Sequence, residues 1–96
     1  MRGRLGHPYK KGIYYEKKCM AALAEAGYYV MRSAGSHGPI DVIALGHDEC
    51  LAIQVTSTKK GVAKKIRALQ ELNLPDFCKK QVWLWRTGQG WEVINL

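Results

Sequence analysis

The sequence has no long apolar run. A bilayer-crossing helix needs about 20 consecutive apolar residues, so no membrane span is expected. No apolar stretch follows the basic start Met1-Arg2-Gly3-Arg4-Leu5-Gly6-His7-Pro8, which argues against a secretory signal and for an intracellular protein. Cysteine is scarce and odd in number. Cys19, Cys50 and Cys78 form no CxxC pair, which excludes a zinc knuckle and leaves them as reduced core residues. His7, His37 and His47 are isolated in apparent loops. Internal repeats, low-complexity segments and interdomain linkers are also lacking, so the 96 residues are expected to form one domain, 1–96. Apolar residues at 47% and charged residues at 24% exclude wholesale disorder. A domain this small buries only about 60–65% of its unfolded surface, so its core is modest and its stability leans on a partner chain.

Acidic residues are the minority charge, eight against fifteen Lys and Arg, for a net +7. The placement is uneven. Residues 1–18 carry Arg2, Arg4, Lys10, Lys11, Lys17 and Lys18 against Glu16 alone, a net +5. Residues 59–67 carry Lys59, Lys60, Lys64, Lys65 and Arg67 with no acid, also +5. Between them, residues 19–58 hold Arg32 against Glu25, Asp41, Asp48 and Glu49, a net −3. Basic surface of this kind commonly meets nucleic acid or anionic membrane, and two merely solvated faces account for it as well. Acids set between basic arms suggest a metal site inside a phosphate-binding surface.

Hydrophobic periodicity supplies the organisation. Residues 1–12, rich in glycine and lysine, read as a mobile basic arm. A helix is predicted over 13–26, with Met20 and Leu23 on its apolar stripe and Gly27 as its C-cap. Strands are predicted over 28–32, 40–45 and 51–57, the last two joined by the turn Gly46-His47-Asp48-Glu49. In the third strand, alternation puts Leu51, Ile53 and Val55 on one face and Ala52, Gln54 and Thr56 on the other. A second amphipathic helix follows over 61–73, with Val62, Ile66, Leu69 and Leu72 inside and Lys60, Lys64 and Arg67 outside. Strands over 81–85 and 91–95 complete the order α-β-β-β-α-β-β.

Three polar residues occupy places a core would give to apolar ones. Glu16 lies on the apolar stripe of the first helix, Asp41 is embedded near the start of a buried strand, and Gln54 sits in the middle of the next strand. A buried carboxylate costs several kcal/mol unless it is paired or ligates a metal. A tight hairpin can bring Asp41 and Gln54 together, and oxygen ligands of this type suit Mg²⁺ or Mn²⁺. Each residue alone has an ordinary reading: Glu16 as an acid near the positive end of the helix dipole, Asp41 as a strand-start acid bonded to the Gly35–Gly38 loop. The coincidence of all three favours a site.

Together these residues resemble a known family. Lys11-Gly12, Glu16 opening a helix, Gly27-Tyr28-Tyr29-Val30-Met31-Arg32-Ser33-Ala34-Gly35-Ser36, Asp41-Val42-Ile43-Ala44 and Leu51-Ala52-Ile53-Gln54-Val55 are similar to the archaeal-type Holliday junction resolvases. That family belongs to the PD-(D/E)xK nuclease superfamily. The similarity implies a restriction-endonuclease-like α/β fold, a small mixed β-sheet flanked by helices. It further implies that Asp41 is the central ligand of Mg²⁺, with Mn²⁺ as the alternative metal, and that Gln54, the Val55 carbonyl and Glu16 complete the set. Ser36 would lie near the scissile phosphate. Arg2, Arg4, Lys10, Lys11 and Arg32 match DNA-contacting positions, and Lys59, Lys60, Lys64 and Arg67 extend the same surface. The implied partner is four-way junction DNA, gripped by a homodimer with two active sites.

Two residues depart from the family pattern. Gln54 replaces an acid and removes one negative charge from the metal site. Thr56 stands where the motif lysine belongs, and a hydroxyl cannot offset charge at the transition state as an ammonium does. Lys59 and Lys60 are the nearest cations along the chain. From the sequence, the protein is a junction-resolving, metal-dependent endonuclease whose cutting is impaired by Thr56, with Thr56→Lys expected to restore it. The alternatives are a branched-DNA-binding module that does not cut and a general duplex DNA nuclease of the same superfamily.

Overall fold

The computed structural model describes residues 8–33 and 38–96, with backbone alone for 8–11. Helix α1 (Pro8–Glu25) opens the chain. It starts five residues before the predicted 13, so Lys10, Lys11 and Gly12 are helical backbone rather than part of an arm. Proline suits this first position, because its ring presets a helical φ and its missing N–H is one that a helix start leaves unbonded anyway. The helix closes as the sequence indicates. Gly27 takes φ 100°, its N–H donates to the Ala24 carbonyl at 3.0 Å, and the Tyr28 N–H donates to Leu23 at 3.0 Å. This paired cap needs a residue free to adopt a left-handed backbone.

Strands β1 (Tyr29–Arg32), β2 (Val42–Leu45), β3 (Cys50–Thr56), β4 (Cys78–Arg86) and β5 (Gly90–Asn95) form one sheet in the order β1-β2-β3-β4-β5. All neighbours are antiparallel except β3 and β4. That parallel pair requires a crossover, which α2 (Val62–Gln70) supplies. The result is the predicted mixed α/β sheet with the predicted element order. Strand β4 begins three residues earlier than predicted because Lys79 and Lys80, polar in the sequence, pair with Leu51 and Ala52 of β3. Helix α2 stops at Gln70, leaving Leu72 beyond it.

Each helix covers one face of the sheet. Cys19 and Leu23 of α1 are buried with Val42, Ala44, Leu51, Ile53 and Val55. Leu69 of α2 is buried, as are Ala52, Val82 and Leu84 of the opposite face, and α2 lies against β3 and β4. Trp83 and Trp85 each pack edge to face against Trp91, with centroids 5.4 and 5.1 Å away. All three are half-buried, whereas Phe77 stays 64% exposed. Cys50 and Cys78, distant in sequence, are register partners. Among the described residues, no helix is long and apolar enough to cross a membrane.

Candidate functional site

Asp41 lies immediately before β2 rather than within it. Its N–H donates to the Ile53 carbonyl at 2.8 Å and its carbonyl accepts from Ser33 N–H at 2.9 Å, so the residue bridges β1 and β3. The last β2–β3 register pair is Val42↔Ile53. Beyond it the Val55 N–H has no β2 partner, and the Asp41 carboxylate takes that place: Oδ2 accepts from Val55 N–H at 2.9 Å. The same oxygen accepts from Gln54 Nε2 at 2.8 Å. The hairpin thus joins Asp41 and Gln54. A strand residue points its N–H and C=O to the same side, so the Val55 carbonyl follows onto the same edge.

Burial pushes the Asp41 carboxyl up to about 6, Glu16 adds to the rise, and the Val55 N–H and Lys65 oppose it. Glu16 on α1 is half-buried and accepts from Arg32 Nη1 at 3.3 Å. Arg32, assigned to DNA contact by the sequence, therefore engages Glu16. Cys19 lies close to both acids. Its thiol is pushed up to about 12, first by burial and then by Asp41 and Glu16.

Thr56 ends β3 and is only 4% exposed. Its hydroxyl donates to the Thr58 carbonyl at 3.2 Å and accepts from the Thr58 N–H at 3.3 Å. A third bond comes from α2, where Lys65 Nζ donates to Thr56 Oγ1 at 3.3 Å. One donated and two accepted bonds use the full capacity of a hydroxyl. A cleft of about 320 Å³ opens here, lined by Gly12, Tyr15, Val55, Thr56, Ser57, Thr58 and Lys65.

Lys59 and Lys60, the cations nearest along the chain, are exposed, as are Lys64 and Arg67. Sequence reasoning missed Lys65. The signal was present: Lys65 is three residues after Val62 and four before Leu69, so helical spacing sets it on the inner edge of α2. Ser36, Arg2 and Arg4 lie outside the described residues, as do the side chains of Lys10 and Lys11. Gly12 of α1 lines this cleft, and the second basic block follows directly on β3, at the Asp41 end of the strand.

Among the described residues no three His, Cys, Asp or Glu side chains converge on a point. A cation here would need mixed oxygen donors. The donor chemistry fits a hard divalent ion: a half-buried carboxylate held above its ordinary range, a touching amide, a strand carbonyl and a nearby glutamate.

Comparison with known proteins agrees with this fold. The profile of the archaeal Holliday junction resolvase (Hjc) family matches residues 7–95. Among solved structures, the chain is similar to Hjc of Archaeoglobus fulgidus, a Holliday junction resolvase from an archaeal hyperthermophile. The TM-score is 0.72 and the identity 24%, over 88% of this chain and 72% of that one. At that identity the likeness is one of fold.

Proposed function

The chain belongs to the archaeal Holliday junction resolvase family, and from that premise we propose that it resolves four-way DNA junctions by metal-dependent hydrolysis of phosphodiesters. The observation that carries the reading is Asp41, a half-buried carboxylate held by Gln54 and Val55 N–H at the end of β3 from which the second basic block follows. Asp41, Gln54, the Val55 carbonyl and Glu16 would hold Mg²⁺ or Mn²⁺. Gln54 presents its amide nitrogen to Asp41 in the structure, and rotation of the amide exchanges it for the oxygen. Such an ion, when bound, lowers the pKa of water and offsets charge on phosphate oxygens.

The chain's own residues do the rest. Lys59, Lys60, Lys64 and Arg67 form an exposed cationic surface for phosphates, and Arg32 orients Glu16 toward the acidic site. Contacts of this kind position DNA without reading bases, so selectivity rests on the shape of the junction. The reading includes a homodimer. Tyr29, Met31 and Leu45 are exposed on β1 and β2, on the face away from α1, where alternation aligns them. That apolar face, together with a modest core, supports an isologous contact. One observation favours a second reading: Thr56 in place of the motif lysine points to a chain that binds branched DNA without cutting it.

Cleavage and gel-shift assays on a four-way junction and a linear duplex of the same sequence, in Mg²⁺, Mn²⁺ and EDTA, separate these readings. The expected result is junction-selective cutting that EDTA abolishes, with two chains per bound junction. A junction bound but uncut in either metal supports the binding module. Equal cutting of duplex supports a general nuclease.

A further inference from the structure

The hydrolysis proposed above places negative charge on phosphate oxygens at the transition state, and a fixed group that stabilises it there is worth about 10²–10³ in rate. Position 56, two residues after Gln54 on the same strand face, holds a threonine. We propose that Lys65 is the catalytic cation of this site, reaching from α2 across Thr56 to contact the scissile phosphate. The proposal rests on the nuclease reading and assigns one of its roles to a residue on a different element.

Three observations carry it. First, Lys65 Nζ lies 3.3 Å from Thr56 Oγ1, so an ammonium already stands against the strand position that faces the site. Thr56 is short enough to leave room for the incoming lysine and supplies an oxygen that anchors it. The two residues work as a pair. Second, Lys65 differs from the rest of its basic block. Lys59, Lys60, Lys64 and Arg67 are exposed, whereas Lys65 is half-buried and lines the cleft beside Val55 and Thr56. Third, its charge is available. Among the described residues Lys65 enters no ion pair. An ammonium has three N–H donors, and the bond to Thr56 uses one, which leaves two for an anionic oxygen. Lys65 is also close enough to Asp41 to stabilise its carboxylate.

In the reaction, a water oxygen forms a bond to phosphorus and one P–O ester bond breaks. Its electron pair leaves on the departing oxygen, which takes up a proton, while the attacking water loses one to solvent. Lys65 exchanges no atoms. It donates hydrogen bonds to a non-bridging oxygen as charge builds.

The test is single-turnover cleavage of a four-way junction in Mg²⁺ by the wild type, Lys65→Met, Thr56→Lys and the double variant Thr56→Lys/Lys65→Met. Junction affinity and thermal melting are measured on each. Lys65→Met keeps most of the apolar stem and removes the charge. Its rate should fall about 10²–10³-fold, with junction affinity within about threefold of wild type, since one phosphate contact among many is lost. The double variant should recover to within about tenfold of wild type, because its ammonium arrives from the strand instead. Thr56→Lys alone should gain little, as the cation is already present. A Lys65→Met protein that melts normally and cuts at the wild-type rate overturns the proposal while leaving the nuclease reading intact. A misfolded Lys65→Met that the double variant does not rescue makes Lys65 structural and also overturns it. A wild type that binds but never cuts overturns the nuclease reading and the proposal together.

Discussion

Asp41 and Glu49 stand at opposite ends of the same hairpin, and their surroundings differ in ways that explain why one is a candidate centre and the other is not. Glu49 accepts a 2.7 Å hydrogen bond from the Tyr28 hydroxyl. The cleft of about 370 Å³ around it is lined by Gly46, His47 and Asp48 on one side and residues 26–28 on the other, with no lysine or arginine. The Tyr28 ring lies so close over Gly46 that a Cβ there would meet it at 2.9 Å, which fixes the turn. Asp41 instead is driven toward neutrality by burial and by Glu16, and Lys65 counters that rise. Acid count is similar at the two ends. What sets the candidate centre apart from the structural carboxylate is the desolvation of Asp41 and the cations beside it.

The largest expected effect tests the charge half of that contrast. If the two basic segments neutralise about 6–10 phosphates, junction affinity should fall about 10³–10⁵-fold between roughly 50 and 200 mM salt. Charge reversal at Asp48, in the other cleft, should leave that slope unchanged. A flat salt response would remove the phosphate-binding surface from the account.

A smaller effect tests the burial half. The Asp41 carboxyl sits at about 6 in the fold against an ordinary 3.8, so the folded chain holds its proton more tightly than the unfolded chain. The stabilisation is therefore full below about pH 4 and is lost as pH rises through about 6. Without metal, Asp41→Asn should melt higher than wild type above pH 6, by about 1 kcal/mol after discounting for partial exposure. That corresponds to roughly 4–8 °C for a domain of this size, and the gap should close toward pH 4. Thermal melts in EDTA across this range check it. A gap independent of pH would mean that the cost comes from packing.

Much of this was legible in the sequence. The element order followed from apolar periodicity and from Gly27 and Gly46 as punctuation. Asp41 and Gln54 stood out because alternation put polar groups where a sheet interior was due, and a hairpin of fixed turn length sets their distance. What escaped depended on contacts between elements remote in sequence. Helical spacing puts Lys65 on the inner edge of α2, but it lies in a run of five cations, and only the packing of α2 on β3 brings it to Thr56. The start of β4 was hidden because Lys79 and Lys80 pair with a buried strand through their backbone, which composition does not show. The packing of Trp83 and Trp85 against Trp91 likewise joins two strands by side chains whose contact the sequence does not show.

Single-turnover cleavage of a four-way junction in Mg²⁺ by the wild type, Asp41→Asn and Glu49→Gln, with junction affinity measured on each, decides which end of the hairpin carries the chemistry. Asp41→Asn should lose at least about 10²–10³-fold in rate while binding the junction as the wild type does, and Glu49→Gln should match the wild type in both. An Asp41→Asn protein that cuts at the wild-type rate, or a Glu49→Gln protein that stops cutting, would contradict the assignment to Asp41.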